Sequence, residues 1–155
     1  MLAKFIVSLA KVNMILTTKG RYAVMAVVDL AQHIECDKPA KMQEIASRQE
    51  ISLNYLEQIF NKLKHARIIT AVRGPSGGYF LNKKAEALYV SEVIAAVAEP
   101  IKFTRCQSEA SCLGNSSKCK THILWRGLES RVEDYLANIT IADICKGKLT
   151  KNDRT

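Results

Sequence analysis

A mainly α-helical fold carrying one small β-hairpin is what this sequence predicts, and three observations predict it. Apolar residues recur at helical spacing over residues 19–33, 41–49 and 52–65. The run GPSGG at 74–78 separates two β-prone segments, IITAVR and YFLNKK. A further helical stretch from about residue 121 follows a segment, 102–120, that has no helical period.

The first helix is expected from Lys19 to about His33. It is rich in Ala, Val and Met, has no Gly or Pro after Gly20, and reads as buried around much of its circumference. Thr17 or Thr18 is its expected cap. ECDKPAK, with Pro39, is a connecting loop. Lys41 to about Gln49 places Met42, Ile45 and Ala46 on one face. From near Ser52 to about His65, Leu53, Leu56, Phe60 and Leu63 form an apolar stripe, and Asn54, Glu57, Gln58, Asn61 and Lys62 face the other way. Asn54 with Glu57 has the form of a capping box, and Ser52 is the rival start. Gly74, Gly77 and Gly78 supply the positive φ that a hairpin tip needs, and Pro75 stiffens it. A short helix is expected from Val90 to Ala98, capped by Ser91 and closed by Pro100. After the cysteine-containing segment, Leu124, Leu128, Val132, Tyr135 and Leu136 form a stripe flanked by Trp125, and a last short helix covers Ile141 to Cys145.

Hydrophobic residues make up 48% of the 155, enough for a packed core. No apolar run approaches the ~18 residues that a bilayer span requires, so no membrane partner is expected. The net charge is +8, of which +6 falls within residues 1–90. A basic front half suits a polyanion, because each cation placed on a phosphate releases condensed counterions. Five cysteines, an odd number, argue against a paired disulfide framework and for a reducing, cytoplasmic setting. The start, MLAKFIVSLAKVN, has an apolar core shorter than the ~7–15 residues of a signal peptide. It reads as an extension, with Met14 as a candidate initiator. No phosphate-cradling loop, nucleophile elbow or acid–base pair points to catalysis or to a small-molecule substrate.

Helix, short turn, amphipathic helix and hairpin, in that order, make a winged helix-turn-helix domain. The second helix of such a pair buries one face and offers the other to base edges. Asn54, Tyr55, Glu57 and Gln58 are expected there: amides pair with adenine, a carboxylate accepts from cytosine, and the phenol adds contact area. Arg73 enters the wing tip, where an electronegative minor groove attracts it, and Gly74, Pro75, Ser76 and Gly77 bring the backbone close to phosphates. Lys19 and Arg21, at the start of the first helix, are expected phosphate contacts. Lys62, Lys64 and Arg67 fit solvent equally well.

Cys106, Cys112, Cys119 and His122 are separated by five, six and two residues within a polar segment. Thiolates are soft ligands, so this set suits an iron–sulfur cluster or tetrahedral zinc, and its spacing does not choose between them. Cys36 and Cys145 stand apart and read as small apolar residues. His33 and His65 read as helix-end side chains.

The strings LTTKGRYAVMAVVDLA, SLNYLEQIFNKL, VRGPSGGYFL and CKTHILWRGL resemble the IscR-like family of iron–sulfur cluster transcriptional regulators. The likeness runs from about Ile15 to Lys146. It implies a homodimer on a double-stranded DNA operator, control of iron–sulfur assembly genes, and a 2Fe–2S cluster held by Cys106, Cys112, Cys119 and His122. It implies operator contacts at Asn54, Tyr55, Glu57, Gln58 and Arg73, with Glu57 penalising one operator class unless the cluster is present. The corresponding division is an extension over 1–13, a winged helix-turn-helix domain over 14–100 and a cluster-binding loop over 101–121. A long dimerisation helix and short C-terminal helix fill 122–147, and 148–155 is a tail. One departure stands out: six residues separate Cys112 from Cys119, where the family pattern has five. An insertion in a flexible loop costs little closure entropy, yet it can alter the geometry or lability of the site. Nitric-oxide and iron-responsive repressors of the same fold, an iron–sulfur carrier and a zinc-stabilised structural protein are the competing readings.

Overall fold

The computed structural model describes residues 18–33, 38–97 and 118–149. Within them, six α-helices and one hairpin run in the predicted order: α1 (Thr18–His33), α2 (Met42–Gln49), α3 (Leu53–His65), β1 (Ile69–Val72), β2 (Gly78–Leu81), α4 (Val90–Val97), α5 (His122–Ala137) and α6 (Ile141–Cys145). A single 3-10 turn at Ala85–Ala87, unmarked by any local pattern of residues, precedes α4.

The hub is α1, which packs against α2, α3, α4 and α6. Gly20, Ala23, Ala26, Val27 and Leu30 are its buried residues. Small side chains at three- and four-residue spacing let neighbouring helices approach closely while Leu30 fills the centre. Asp29 lies on the same buried surface, 1% exposed. It is held by Arg48, whose Nε donates at 3.1 and 3.2 Å and whose Nη2 donates at 2.7 Å, and by Gln49 Nε2 at 2.7 Å. A carboxylate buried without such donors would be strongly destabilising; here it fastens the end of α2 to α1.

Between α2 and α3, Glu50 adopts φ 53° and Ile51 N–H donates to Ala46 O at 3.0 Å, which turns the chain within two residues. Ser52 flanks α3, so Asn54 lies inside the helix rather than capping it. The buried stripe also differs from the expected one. Leu56, Ile59, Phe60 and Leu63 are buried, whereas Leu53 is 42% exposed. Arg67, at φ 57°, repeats the left-handed turn after α3, with Ile68 N–H reaching Leu63 O. Lys62 is not simply solvent-facing, because its Nζ donates to Val97 O and satisfies the C-terminal end of α4.

The strands pair antiparallel, Ile69 opposite Leu81 through Val72 opposite Gly78. Ala40 bridges to Tyr79 on the free edge of β2, with bonds of 3.1 and 2.9 Å. Of the hairpin glycines only Gly74 has a positive φ, 112°. Gly77 and Gly78 are required by space instead: a Cβ would lie 2.3 Å from Val72 O at Gly77 and 2.5 Å from Ala40 O at Gly78.

Helix α4 begins one residue before the expected cap Ser91. The Glu92 carboxylate accepts from Tyr89 N–H and closes that end. Leu88–Val90 pairs with Ile139–Ile141, through Val90 N–H to Ile139 O at 2.9 Å and Ile141 N–H to Leu88 O at 2.8 Å. This clasp returns the C-terminal α6 to α1. Thr140 and Asp143 complete a capping box at the start of α6.

Candidate nucleic-acid interface and ligand pair

The first two turns of α3 and the wing share one side of the domain. Asn54, Glu57 and Gln58 are exposed there, as the sequence predicts, because the buried stripe occupies the opposite side of α3. Tyr55 differs: it is half-buried, its ring set edge-on to Tyr22 with centroids 5.8 Å apart. The expectation of a freely exposed Tyr55 is therefore corrected, since that ring wedges α3 against α1. Arg73, Gly74, Pro75 and Ser76 are exposed at the wing tip and Gly77 is half-buried. At the start of α1, Arg21 is exposed and Lys19 half-buried.

A cleft of about 700 Å³ runs between the wing and the start of α3, lined by Leu53, Glu57, Gly74, Pro75, Lys41 and Tyr79 among others. The exposure of Leu53 in this cleft is a feature the stripe pattern concealed. Tyr79 sits at the cleft's inner edge, its ring edge-on to Phe60 at 4.7 Å. Burial pushes its phenol above the ordinary value, and the negative charge of Glu57 adds to that effect.

Further along the chain, Cys119 is half-buried and His122 is 7% exposed. Cys119 O accepts His122 N–H at 3.0 Å, and Cys119 Sγ lies 3.5 Å from Thr121 Oγ1. A backbone turn thus joins the thiol-bearing Cys119, just before α5, to His122, the first residue of α5; thiolate and imidazole are donor types that fit a soft metal centre. Cys106 and Cys112 lie outside the described residues, as do Cys36 and the point of insertion. Among the described residues no group of three or more metal-type donors forms.

Helix α5 inverts the usual arrangement. His122 and Glu129, seven residues apart on one face, are its buried residues. Its apolar residues point outward instead: Ile123 is 84% exposed, Leu124 63% and Tyr135 52%. Leu128, Val132 and Leu136 are only half-buried. No helix among the described residues is long and apolar enough to cross a membrane.

The chain is similar to characterised and solved proteins along most of its length. It is 47% identical over 131 residues to the HTH-type transcriptional regulator IscR of Vibrio campbellii, covering 84% of this chain and 77% of that one. With the IscR of Yersinia pseudotuberculosis it shares 48% over 129 residues, 83% of this chain and 77% of the relative. Among solved structures, T. potens IscR superposes with TM-score 0.70 at 32% identity, covering 86% of this chain and 88% of that one. Staphylococcus aureus CymR in its oxidized form gives 0.68 at 28%, covering 85% and 96%. The Rrf2 model, described as an iron-dependent transcriptional regulator, matches residues 16–147. With α3, the wing and the start of α5 all inside that match, the chain belongs to the Rrf2 family of transcriptional regulators, as an IscR-type DNA-binding protein of the winged helix-turn-helix fold.

Proposed function

We propose that this regulator is a homodimer that senses iron–sulfur status in the cytoplasm and controls iron–sulfur assembly genes. Cys106, Cys112, Cys119 and His122 would hold a 2Fe–2S cluster, zinc being the alternative occupant of the same donors. The observation that carries the reading is the position of Cys119 just before α5 and of His122 as its first residue, α5 being the helix whose outer face is apolar and uncovered in the single chain. An uncovered apolar helix face of this kind suits a twofold partner. A bound cluster supplies an oxygen- and redox-labile link between residues 101–121 and the start of α5.

The residues of the chain do the rest. Asn54, Glu57 and Gln58 read base edges in the major groove, with Tyr55 setting the seat of their helix. Arg73 enters the minor groove, the backbone of Gly74, Pro75, Ser76 and Gly77 approaches phosphates, and Lys19 and Arg21 neutralise the flanking backbone. Ordering of the ligand loop at His122 biases how two α5 helices pair, and so which half-site geometry the two heads present. Such a switch requires a coupling of ~1–3 kcal/mol between the ligand site and DNA.

The deciding experiment is anaerobic isolation with a visible spectrum and iron and sulfide counts, followed by promoter titration of the holo protein and Cys106→Ala. Iron and sulfide in equal amounts, with at least fivefold different affinity at one promoter class, are expected. Colourless protein carrying stoichiometric zinc, or equal affinities everywhere, overturns the sensor reading.

A further inference from the structure

We propose that Leu53 is a specificity-determining residue that reads the 5-methyl group of a thymine, within two base pairs of the pair contacted by Glu57. The inference rests on the reading above that α3 enters the major groove. Leu53 is the first residue of α3 and, unlike the buried apolar residues Leu56, Ile59, Phe60 and Leu63, it stands open. Its side chain lines the cleft shared by Glu57 and the wing tip residues Gly74 and Pro75. Met42 and Tyr79 line the same cleft, and Asn54 and Gln58, the exposed neighbours of Leu53 on α3, are polar. An exposed apolar side chain at the reading end of α3 is matched by an apolar group on the DNA. The major-groove edge of DNA offers one, the thymine methyl.

Spacing agrees with this assignment. Leu53 and Glu57 are four residues apart, so they share a face and lie about 6 Å apart along the axis. That distance spans roughly two base steps of ~3.4 Å. Glu57 accepts from a cytosine amino group, and Leu53 covers the methyl on a neighbouring pair. The two side chains then read different chemistry in one motif, and the apolar contact disfavours replacement of thymine by an unmethylated pyrimidine.

The probe is a duplex selected from a random-sequence pool by this protein, resynthesised with each thymine singly replaced by uracil. Uracil keeps the pairing and removes only the methyl. Wild-type protein is expected to lose roughly fourfold in affinity per half-site at one symmetry-related thymine, as befits one apolar methyl contact. Leu53→Ala is expected to bind the parent duplex more weakly by a similar factor and to be indifferent to uracil there. Leu53→Met, which keeps an apolar reach, is expected to retain the sensitivity. Unchanged melting of each variant confirms the fold. Wild-type indifference to every substitution, or full sensitivity retained by Leu53→Ala, overturns the proposal. Glu57→Ala and Gln58→Ala are measured alongside: if neither changes base preference, α3 is not the reading helix and both readings fall together.

Discussion

Arg48 holds Asp29 through both Nε and Nη2, and this pair joins the last turn of α2 to the buried surface of α1. Burial alone would raise the Asp29 carboxyl. Hydrogen bonds from Arg48 and Gln49, together with the charges of Arg48 and His33, outweigh it and hold the group below its ordinary value of 3.8. A depressed carboxyl stabilises the fold in full above the unfolded-state value, and that contribution fades as pH falls through the folded-state value. Arg48→Ala, which leaves the carboxylate buried with Gln49, is expected to cost about 2–3 kcal/mol in urea titration at neutral pH. Asp29→Asn is expected to flatten the loss of stability below about pH 4. An acid limb identical to wild type would show that another carboxylate controls it.

The wing tip is limited by space more than by dihedral freedom. Gly77→Ala would drive a Cβ against Val72 O, and Gly78→Ala would drive one against Ala40 O. Each is expected to destabilise the domain by about 1–3 kcal/mol. Each is also expected to weaken operator binding further, because the tip that carries Arg73 is displaced. Chemical denaturation and DNA titration of the same preparations separate the two effects.

For self-association, Leu124→Glu is a cleaner probe than a change at half-buried Leu128, since Leu124 is largely exposed in the single chain. Sedimentation is expected to shift from about twice the 17.3 kDa chain mass to the chain mass itself, with melting of the winged domain little changed. A palindromic operator should then be bound far more weakly, because two linked half-site readers are needed. Unaltered sedimentation would move the interface off this face.

At the ligand site, Cys119→Ser is expected to abolish iron and sulfide retention. His122→Cys is expected to keep a cluster at a more negative reduction potential, because an imidazole ligand raises the potential relative to thiolate. Anaerobic potentiometry of the two variants checks both statements, and an unchanged potential in His122→Cys would remove His122 from the ligand set.

Much of this architecture was legible in the residues, and the failures have identifiable causes. The polar face Asn54, Glu57 and Gln58 followed from helical period alone, and the hairpin followed from GPSGG. The stripe slipped because Leu53 and Ile59 both fit the period, and Leu53, as the first residue of α3, lies at the end of the helix and is 42% exposed while Ile59 is buried. Nothing local marks Asp29 as a buried, paired carboxylate, because its partners lie 19 and 20 residues further on. The clasp of Leu88–Val90 with Ile139–Ile141 joins segments about 50 residues apart, beyond any local signal. Glu50 and Arg67 gave no hint of left-handed geometry, since tertiary packing imposes it where glycine would be the usual choice. For the expected ligand set, residue type suggested a soft metal centre while spacing left iron–sulfur and zinc open, and of the four only Cys119 and His122 fall among the described residues.

Tyr79 has a wider consequence. Its backbone is stitched to Ala40 and its ring is lodged against Phe60, so the hairpin is bolted to the helix beside it. Anchored by both backbone and ring, the wing and α3 move as one unit. In the homodimer proposed above, adjustment to a different sequence would then fall to how the two heads are set apart. Among the described elements, α5, packed on α4 and carrying the uncovered apolar residues Ile123, Leu124 and Tyr135, is the element in which that setting would be made.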